Sequence, residues 1–227
     1  MAIRMNLQYF GGRGAGSGIP DGGTPSGGGG GNGPMDAQPG LPATKAEALG
    51  KKGRPMSTDK AVLGANPFFD PSQSSREYNE NCQRAVIATE ARFRGYDVIA
   101  SPTFDNDTMP HGDNYTKNFK DAPTPINIGK RTKHGTIISV ERYMKEQGDG
   151  ARAILAVDWN KGNSGHVINV VQRNGKTYYY DGQTGRKFTA RKFFTNVISK
   201  NTTILRTDNL EFSDTVRESV RQNPNKK

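Results

Sequence analysis

The sequence predicts an α+β fold in which one helix packs on an antiparallel sheet, and two patterns lead to this prediction. The clearest helical pattern, over residues 77–94, comes first in the part of the chain with ordinary apolar content. Short apolar segments follow, and Asn174 and Gly175 join two of them. An Asn-Gly pair between such segments is the strongest short-range signal for a β-hairpin. A leading helix followed by helices and antiparallel strands is an α+β arrangement.

Composition divides the 227-residue chain into a tail and one domain. Residues 1–65 contain more than half of the 28 glycines, with many Pro and Ser residues, which is typical of a flexible linker. Residues 66–210 hold most of the aromatic residues and have the size of a single domain. Residues 211–227 are predicted to be a basic C-terminal tail that begins to form a frayed helix near residue 213. We therefore expect a disordered Gly-rich tail ahead of one compact domain.

The predicted elements of this domain follow in a simple order. In the first helix Cys82, Val86, Thr89 and Phe93 recur at helical spacing and form one apolar stripe, and Gly95 is placed to end the helix. Residues 103–135 are polar and show no period, so we expect them to cross the surface near the functional site. The remaining predictions are strands near 96–102, 151–159 (buried on both faces), 165–172, 176–181 and 202–207, and helices near 137–148 and 190–200.

Composition also excludes several classes of protein. The single cysteine, Cys82, cannot form an internal disulfide, so this is not a disulfide-stapled domain of an oxidising compartment. No run of about 18 apolar residues is present, and the first residues, MAIRMNLQYFGG, lack the apolar core of a secretory signal. We therefore expect no membrane partner. The net charge of +10 is scattered and does not alternate with aromatic residues, so any nucleic-acid contact is expected to be non-specific.

The hairpin register brings together a histidine and an aspartate. With a two-residue turn at Asn174 and Gly175, Ile168 lies opposite Asp181, and His166 is one diagonal step away from Asp181 on the same face. Diagonal neighbours on one face of a sheet are close enough for long side chains to touch. An imidazole beside a carboxylate is what a general base and its orienting partner require. Asn169 lies on the opposite face and is a poor orienting residue.

Cys82 is the candidate nucleophile, and the start of its helix decides how a thiolate would be stabilised. With Asn79 or Asn81 as N-cap, Cys82 lies in the first helical turn, where the helix dipole favours an anion. A competing start at Ser74, with Glu77 completing a capping box, places Cys82 in the second turn. In that case a lone cysteine on an apolar stripe is typical of the core, and a neighbouring imidazolium alone would favour the thiolate. The sequence leaves both starts open.

Metal and cofactor chemistry has no support in the sequence. His111 and His134 lie in the polar middle segment without a partner at metal-ligand spacing. The glycine run of the tail has no strand before it and no helix after it, so it is not a phosphate-binding loop. We therefore expect neither a metal nor a cofactor.

Two segments resemble the papain-fold toxin domains, a family that includes protein-glutamine deamidases and peptidase-like enzymes. They are NPFF...YNENCQRAVIATEARFRGYDVIASP and ARAILAVDW...SGHVINVVQRNGKTYYYDGQTG, and together they span about residues 66–187. The order NCQ, SGHV.N and D.QTG carries the resemblance. It implies a papain-like fold in which the N-terminal helix carries the cysteine.

The resemblance also implies roles for particular residues. The family's cysteine, histidine and acidic residue correspond to Cys82, His166 and Asp181. Gln183 matches the glutamine of its D.QTG turn and is predicted, with Gln83 and Asn81, to bind the substrate or its oxyanion. This chain departs from the family at Gly182, where proline is more usual, and we expect the glycine to loosen the turn. Arg76 stands six residues before the cysteine, where papain has its oxyanion glutamine. The backbone N–H of Cys82, with the side chain of Gln83 or Asn81, is therefore the predicted oxyanion donor.

The leader MNLQYFGGRGAGSG separately resembles the N-termini of tailed-phage head and structural proteins. It implies a phage-encoded, virion-associated protein, found in the virion or the host cytoplasm, whose N-terminal peptide docks on head or other virion proteins. The function predicted for the domain is hydrolysis of a carboxamide or peptide bond in a protein substrate, most simply glutamine deamidation. The alternative is a structural protein in which the papain-like domain is a non-catalytic docking module.

Overall fold

The computed structural model describes residues 41–73, 76–104, 112–161 and 164–224, so the leader and the glycine run lie outside the described residues. The helices are α1 (Lys45–Leu49), α2 (Thr58–Leu63), α3 (Cys82–Phe93), α4 (Lys133–Gln147), α5 (Ala190–Phe193) and α6 (Val216–Ser219). The strands are β1 (Val98–Ala100), β2 (Ile126–Asn127), β3 (Arg152–Asp158), β4 (Gly165–Arg173), β5 (Lys176–Asp181), β6 (Arg186–Phe188), β7 (Thr203–Arg206) and β8 (Val220–Gln222). This mixture of helices and antiparallel strands is consistent with the predicted α+β, papain-like class.

The main sheet has six antiparallel strands in the order β2-β7-β3-β4-β5-β6. The predicted hairpin is confirmed, with Arg173 paired to Lys176 and Asn169 paired to Tyr180. Asn174 and Gly175 both have positive φ, 50° and 70°, the conformation that a type I′ turn requires. The register of β4 against β5 is therefore the one that the turn chemistry predicts.

The sheet lies between two layers of helix. Strand β3 is hydrogen-bonded to β4 on one side and to β7 on the other. Its Leu155 belongs to the apolar cluster that includes Val140 and Met144 of α4, whereas Ile154 belongs to the cluster that includes Val86 of α3. The prediction that β3 is buried on both faces is thus confirmed.

Helix α3 begins five residues later than the predicted residue 77, and residues 76–81 form turns instead. Ser74 lies outside the described residues, but the start at Cys82 corrects the competing capping-box prediction. All twelve residues of α3 are buried, so the single predicted stripe is also wrong. The reason is that other elements cover the helix on its second side, and its charged Glu90 is paired with Arg94 (2.8 Å) and Arg152 (3.0 Å).

The packed part of the chain extends beyond the predicted limits of residues 66 and 210. In the segment assigned to the flexible tail, Leu49 of α1 and Val62 of α2 are buried, and Gly53 N donates to Gly95 O at the end of α3. In the segment assigned to the C-terminal tail, β8 pairs antiparallel with β1. Both segments were predicted to be tails because of their glycine-rich or basic composition. They are packed instead, because the first buries apolar side chains and the second pairs as a strand. The frayed terminal helix is thereby corrected to α6 and β8.

Two further predictions need adjustment. The helix predicted near 137–148 is α4, which begins four residues earlier because Thr132 caps it through Gly135 N, and it ends as predicted before Gly148. The helix predicted near 190–200 is only α5, followed by two 3-10 turns. Within the middle segment a 3-10 helix at Asn114–Asn118 buries Tyr115, while residues 105–111 lie outside the described residues.

No helix in the described part of the chain is long and apolar enough to cross a membrane.

Candidate active site

Cys82 is the first residue of α3, and its side chain is 3 % exposed. Asn81 is the N-cap residue, and its carbonyl accepts from the N–H groups of Arg84 and Ala85, both at 2.9 Å. Because an N–H at the first helical position has no intrahelical acceptor, the N–H of Cys82 lies at the positive end of the helix dipole. The predicted placement of Cys82 in the first turn is therefore what the structure has.

Strands β4 and β5 bring His166 and Asp181 together at the end of the sheet opposite the Asn-Gly turn. The Nε2 atom of His166 is 3.1 Å from Oδ2 of Asp181. This is the diagonal contact expected from the hairpin register. Asn169 lies on the other face, where its amide donates to Val86 O of α3 (3.2 Å).

The Cys82 thiol lies close enough to His166 to influence the pKa of the imidazole, so the structure brings the three predicted residues together. Burial opposes charge on the imidazole, but the attraction and hydrogen bonds of Asp181, together with the contact to Cys82, raise the pKa of His166 from 6.5 to about 10. At neutral pH the imidazole is therefore held as imidazolium. Such a group beside a thiol is one of the two common devices that favour a thiolate.

Asp181 has hydrogen-bond donors at both of its oxygens. Its Oδ1 accepts from the backbone N–H groups of Gln183 (3.0 Å) and Thr184 (3.4 Å), and its Oδ2 accepts from the Thr184 hydroxyl (2.9 Å). Burial acts to raise the pKa of Asp181, but the ion pair with His166 and these bonds keep its pKa below the ordinary value. Thr184 was not among the predicted site residues, although Asp and Thr side chains commonly bond to nearby backbone in turns.

Trp159, at the end of β3, stacks on His166 with ring centroids 5.9 Å apart and an angle of 19° between the planes. Both residues are 8 % exposed. The indole thus shields the histidine from water, which strengthens the ion pair with Asp181. Nothing in the sequence indicated this contact, because it depends on the pairing of Val157 with His166 between β3 and β4.

Residues 80–186 match the family model described as papain fold toxin 1, glutamine deamidase. The matched region includes Cys82, His166 and Asp181, and it spans slightly less than half of the chain. The match supports a papain-like hydrolase of the deamidase kind. No curated protein and no solved structure matches the chain.

The amides predicted as oxyanion donors in this papain-like region are engaged elsewhere. The side chains of Asn81 and Asn66 form a reciprocal pair (3.0 and 3.2 Å), and Asn81 also donates to Ser101 O (3.1 Å). Gln183 Nε2 donates to Asn79 O. These buried groups hold the segments that carry Cys82 and Asp181, so the assignment of Asn81 and Gln183 as substrate-binding residues is corrected to a supporting role.

Gln83 is engaged in the same way. Its amide donates to Gly112 O (2.9 Å) and accepts from Tyr115 N (2.7 Å), so it fastens the middle segment to the start of α3. With 1 % of its surface exposed, it is corrected from an oxyanion donor to a structural residue. Of the predicted donors, the backbone N–H of Cys82 is the group that the described hydrogen bonds leave available.

Asn66 links the two halves of the site and was missed as a functional candidate. Its Nδ2 donates to Asn81 Oδ1 at the start of α3 and lies 3.1 Å from Gln183 O in the turn after Asp181. It is 5 % exposed. In the sequence Asn66 stands out only as the first residue of the predicted domain, because a contact over 117 positions leaves no local signal.

The Gly182 turn is tightly packed. A Cβ atom at Gly182 would lie 2.1 Å from Thr89 Oγ1 and 2.9 Å from Ala85 O, both on α3. The prediction that glycine loosens this turn is therefore wrong: glycine lets the turn approach the helix, where the side chain of Thr89 fills the space.

No metal centre accompanies the site in the part of the chain that the structure describes, where no three His, Cys, Asp or Glu side chains are grouped to hold an ion. His134 is exposed in the first turn of α4. His111 lies outside the described residues.

Proposed function

We propose that the domain is a cysteine-dependent hydrolase that acts on a protein carboxamide, and that its reaction is deamidation of glutamine. One observation carries the proposal: Cys82, at the start of a helix, lies close enough to His166 to influence its pKa, and Nε2 of His166 is 3.1 Å from Oδ2 of the buried Asp181. A nucleophile, a base and an orienting acid within hydrogen-bonding reach are the arrangement of acyl-transfer enzymes. The family match favours the carboxamide over the peptide bond.

In the first half of the reaction the Cys82 thiolate attacks the carbon of the substrate carboxamide. The C=O electrons move to oxygen, and a tetrahedral intermediate forms. The His166 imidazolium then gives its proton to the nitrogen, the C–N bond breaks and ammonia leaves. A thioester remains on Cys82.

In the second half a water molecule attacks the thioester, and neutral His166 accepts a proton from that water. The C–S bond breaks, the product leaves as a carboxylic acid that gives its remaining proton to solvent, and the thiolate–imidazolium pair is restored. Asp181 keeps its charge throughout, because its role is to orient the imidazole and stabilise the imidazolium. The net reaction converts glutamine and water into glutamate and ammonia.

The negative oxygen of the tetrahedral intermediate needs a donor, and the backbone N–H of Cys82 is the group we assign to it. The first N–H groups of a helix have no intrahelical acceptor. In α3 the N–H groups of Arg84 and Ala85 are bonded to Asn81 O, whereas none of the described hydrogen bonds engages the N–H of Cys82. A preorganised backbone donor of this kind typically contributes about 2.7–4 kcal/mol to an acyl-transfer transition state.

Mass spectrometry of proteins exposed to the wild type and to Cys82→Ala tests the function. Because deamidation replaces NH₂ with OH, modified glutamines gain about one mass unit, and only with the wild type. New chain termini would indicate peptide hydrolysis instead. Neither change with the wild type would contradict the enzymatic function.

A second candidate is a docking module without activity, and the low exposure of Cys82, 3 %, favours it. A small thiol reagent distinguishes the two. An enzyme should label at Cys82 faster at neutral pH than the same chain in denaturant, whereas a docking module should label no faster.

We also propose that a phage virion carries this protein, on the basis of the resemblance of its leader alone. Under it, the protein belongs to a phage virion, the N-terminal peptide docks on head or other virion proteins, and contacts with nucleic acid are non-specific. Mass spectrometry of purified virions, with a variant that lacks residues 1–10, tests this proposal. The proposal predicts that the full-length chain is found in purified virions and that the variant without residues 1–10 is absent from them.

A further inference from the structure

A second feature lies near the candidate active site. A cavity of about 430 Å³ is formed by the loop before α4 and the segment before β7. Four of its lining residues are basic, and two more supply an apolar wall. They are Lys130, Arg131, Lys133 and Lys200, with Val197 and Ile198. No acidic residue lines it.

The positive charge of this basic cavity is not neutralised by the protein. Lys130, Arg131 and Lys200 are exposed, and none forms an ion pair with an acidic residue in the described part of the chain. Lys133 donates to the carbonyl of Thr195, which leaves its charge uncompensated. Four like charges around one concavity attract an anionic group.

The walls of the basic cavity are held in place by backbone contacts. A Cβ atom at Gly129 would lie 2.3 Å from Ser199 O, so the two segments approach as closely as glycine allows. The buried Thr136 joins them again, because its hydroxyl accepts from Lys130 N (2.8 Å) and lies 3.4 Å from Ser199 O. A binding surface on such fixed walls loses little conformational freedom when a ligand binds.

The basic cavity borders the catalytic end of the sheet. Ile198 N donates to Asp158 O at the end of β3 (2.8 Å), and Val197 pairs with Trp159. Trp159 in turn stacks on His166. One wall of the cavity is therefore connected to the histidine through a single side chain.

The composition of the cavity favours a peptide over a nucleic acid. Single-stranded nucleic acids bind where aromatic side chains stack on bases, and none of the lining residues is aromatic. Basic side chains combined with an apolar wall suit the carboxylates and the aliphatic side-chain carbons of an acidic peptide. We propose that the basic cavity binds an acidic segment of the protein substrate whose glutamine reacts at Cys82, an inference that rests on the proposed function.

The test measures binding separately from catalysis. Full-length Cys82→Ala is titrated with a fluorescent peptide that carries one glutamine beside four glutamates, and with a peptide in which alanine replaces the glutamates. We expect tighter binding of the acidic peptide. Changing Lys130, Arg131 and Lys200 to Gln together should weaken that binding about tenfold, as expected for three exposed charge pairs, and leave the alanine peptide unaffected.

A matched control removes the same charge from the opposite end of the sheet. Arg142, Lys145 and Lys176 line another cavity, beside the hairpin turn. Their joint change to Gln should alter peptide binding less than about twofold. If the two triple variants weakened binding of the acidic peptide equally, the binding would depend only on the net charge of the protein, and the proposal would be overturned. A single-stranded oligonucleotide that displaces the acidic peptide and depends on the same three residues would also overturn it.

Ammonia release by the chain with Cys82 intact separates the two proposals. The acidic peptide should have the higher kcat/KM, and the Lys130, Arg131 and Lys200 variant should remove that preference while it still deamidates the alanine peptide. Activity without any preference would overturn the cavity proposal alone. Selective binding without ammonia from either peptide would overturn the proposed function, and with it the substrate role of the cavity, and would leave the basic cavity only as a binding site for acidic peptides.

Discussion

The two ends of the β4–β5 hairpin differ in what holds them. At the turn end, the positive φ angles of Asn174 and Gly175 are a local property of two residues, and a Cβ at Gly175 would meet nothing within 4 Å. At the catalytic end, His166 and Asp181 are buried and depend on partners from other elements. The turn sets the register that places His166 beside Asp181, and contacts from distant segments then bury and hold these two residues.

The largest difference between the two ends should be in catalysis. We expect Cys82→Ala and His166→Ala each to reduce kcat for deamidation about 10⁴-fold or more, because each removes a participant in bond making. Asn174→Ala, at the turn end, should leave kcat within about twofold. The measurement is ammonia release from a glutamine peptide. A loss of less than about tenfold in either site variant would contradict the assigned roles.

The next largest effect should come from Asn66, which joins the start of α3 to the turn after Asp181. Asn66→Ala removes both contacts and leaves Oδ1 of the buried Asn81 without its donor, which typically costs about 1–3 kcal/mol of unfolding free energy. We also expect kcat to fall, because the start of α3 would no longer be held against the turn after Asp181 and Cys82 would be positioned less well beside His166. Denaturant unfolding and ammonia release measure the two effects. A loss of stability with unchanged kcat at a temperature where the variant is folded would limit Asn66 to a structural role.

The packing of Gly182 against Thr89 provides a double-mutant test at the catalytic end. Gly182→Ala should destabilise the fold by about 1–3 kcal/mol, because its Cβ has no room. Thr89→Ala removes the nearer of the two clashing atoms, so the double variant should recover part of that loss. Ala85 O remains 2.9 Å away, and the recovery should be incomplete. Additive effects in thermal unfolding would contradict this contact.

The pH dependence of stability should separate the ends as well. The pKa of His166 is raised from 6.5 to about 10, so its ion pair stabilises the fold fully below pH 6.5 and is lost as the pH rises towards 10. The pKa of Asp181 is lowered, so its contribution is present above pH 3.8 and is lost as the pH falls below that value. The stability of the wild type relative to Asp181→Asn should therefore be greatest between these limits. Denaturant unfolding across pH measures it, and a constant difference would contradict the ion pair.

The smallest effect should be at the turn. Gly175→Ala introduces a side chain at φ 70°, which costs about 1 kcal/mol of stability through strain, with open space around it. We expect unchanged kcat and KM. A large loss of activity from this change would show that the turn influences the active site, against the distinction between the two ends.

Local chemistry predicted much of the fold and part of the site. The Asn-Gly turn fixed the register, which placed His166 beside Asp181, and the apolar run of β3 indicated a central strand. Contacts between distant segments could not be predicted in this way. Residues 41–65 have a linker's composition but bury Leu49 and Val62. The amide of Gln83, placed next to the nucleophile, bonds to Gly112 and Tyr115 instead of facing a substrate.

The state of Cys82 at neutral pH tests the central claim most directly. As the single cysteine, it allows the ultraviolet absorbance of a thiolate to be read as the difference between the wild type and Cys82→Ser. We predict a thiolate signal at neutral pH that disappears in His166→Ala, because the imidazolium beside the sulfur stabilises its anion. A wild type without thiolate absorbance at that pH, or an equal signal in His166→Ala, would contradict the nucleophile–base pair on which the proposed function rests.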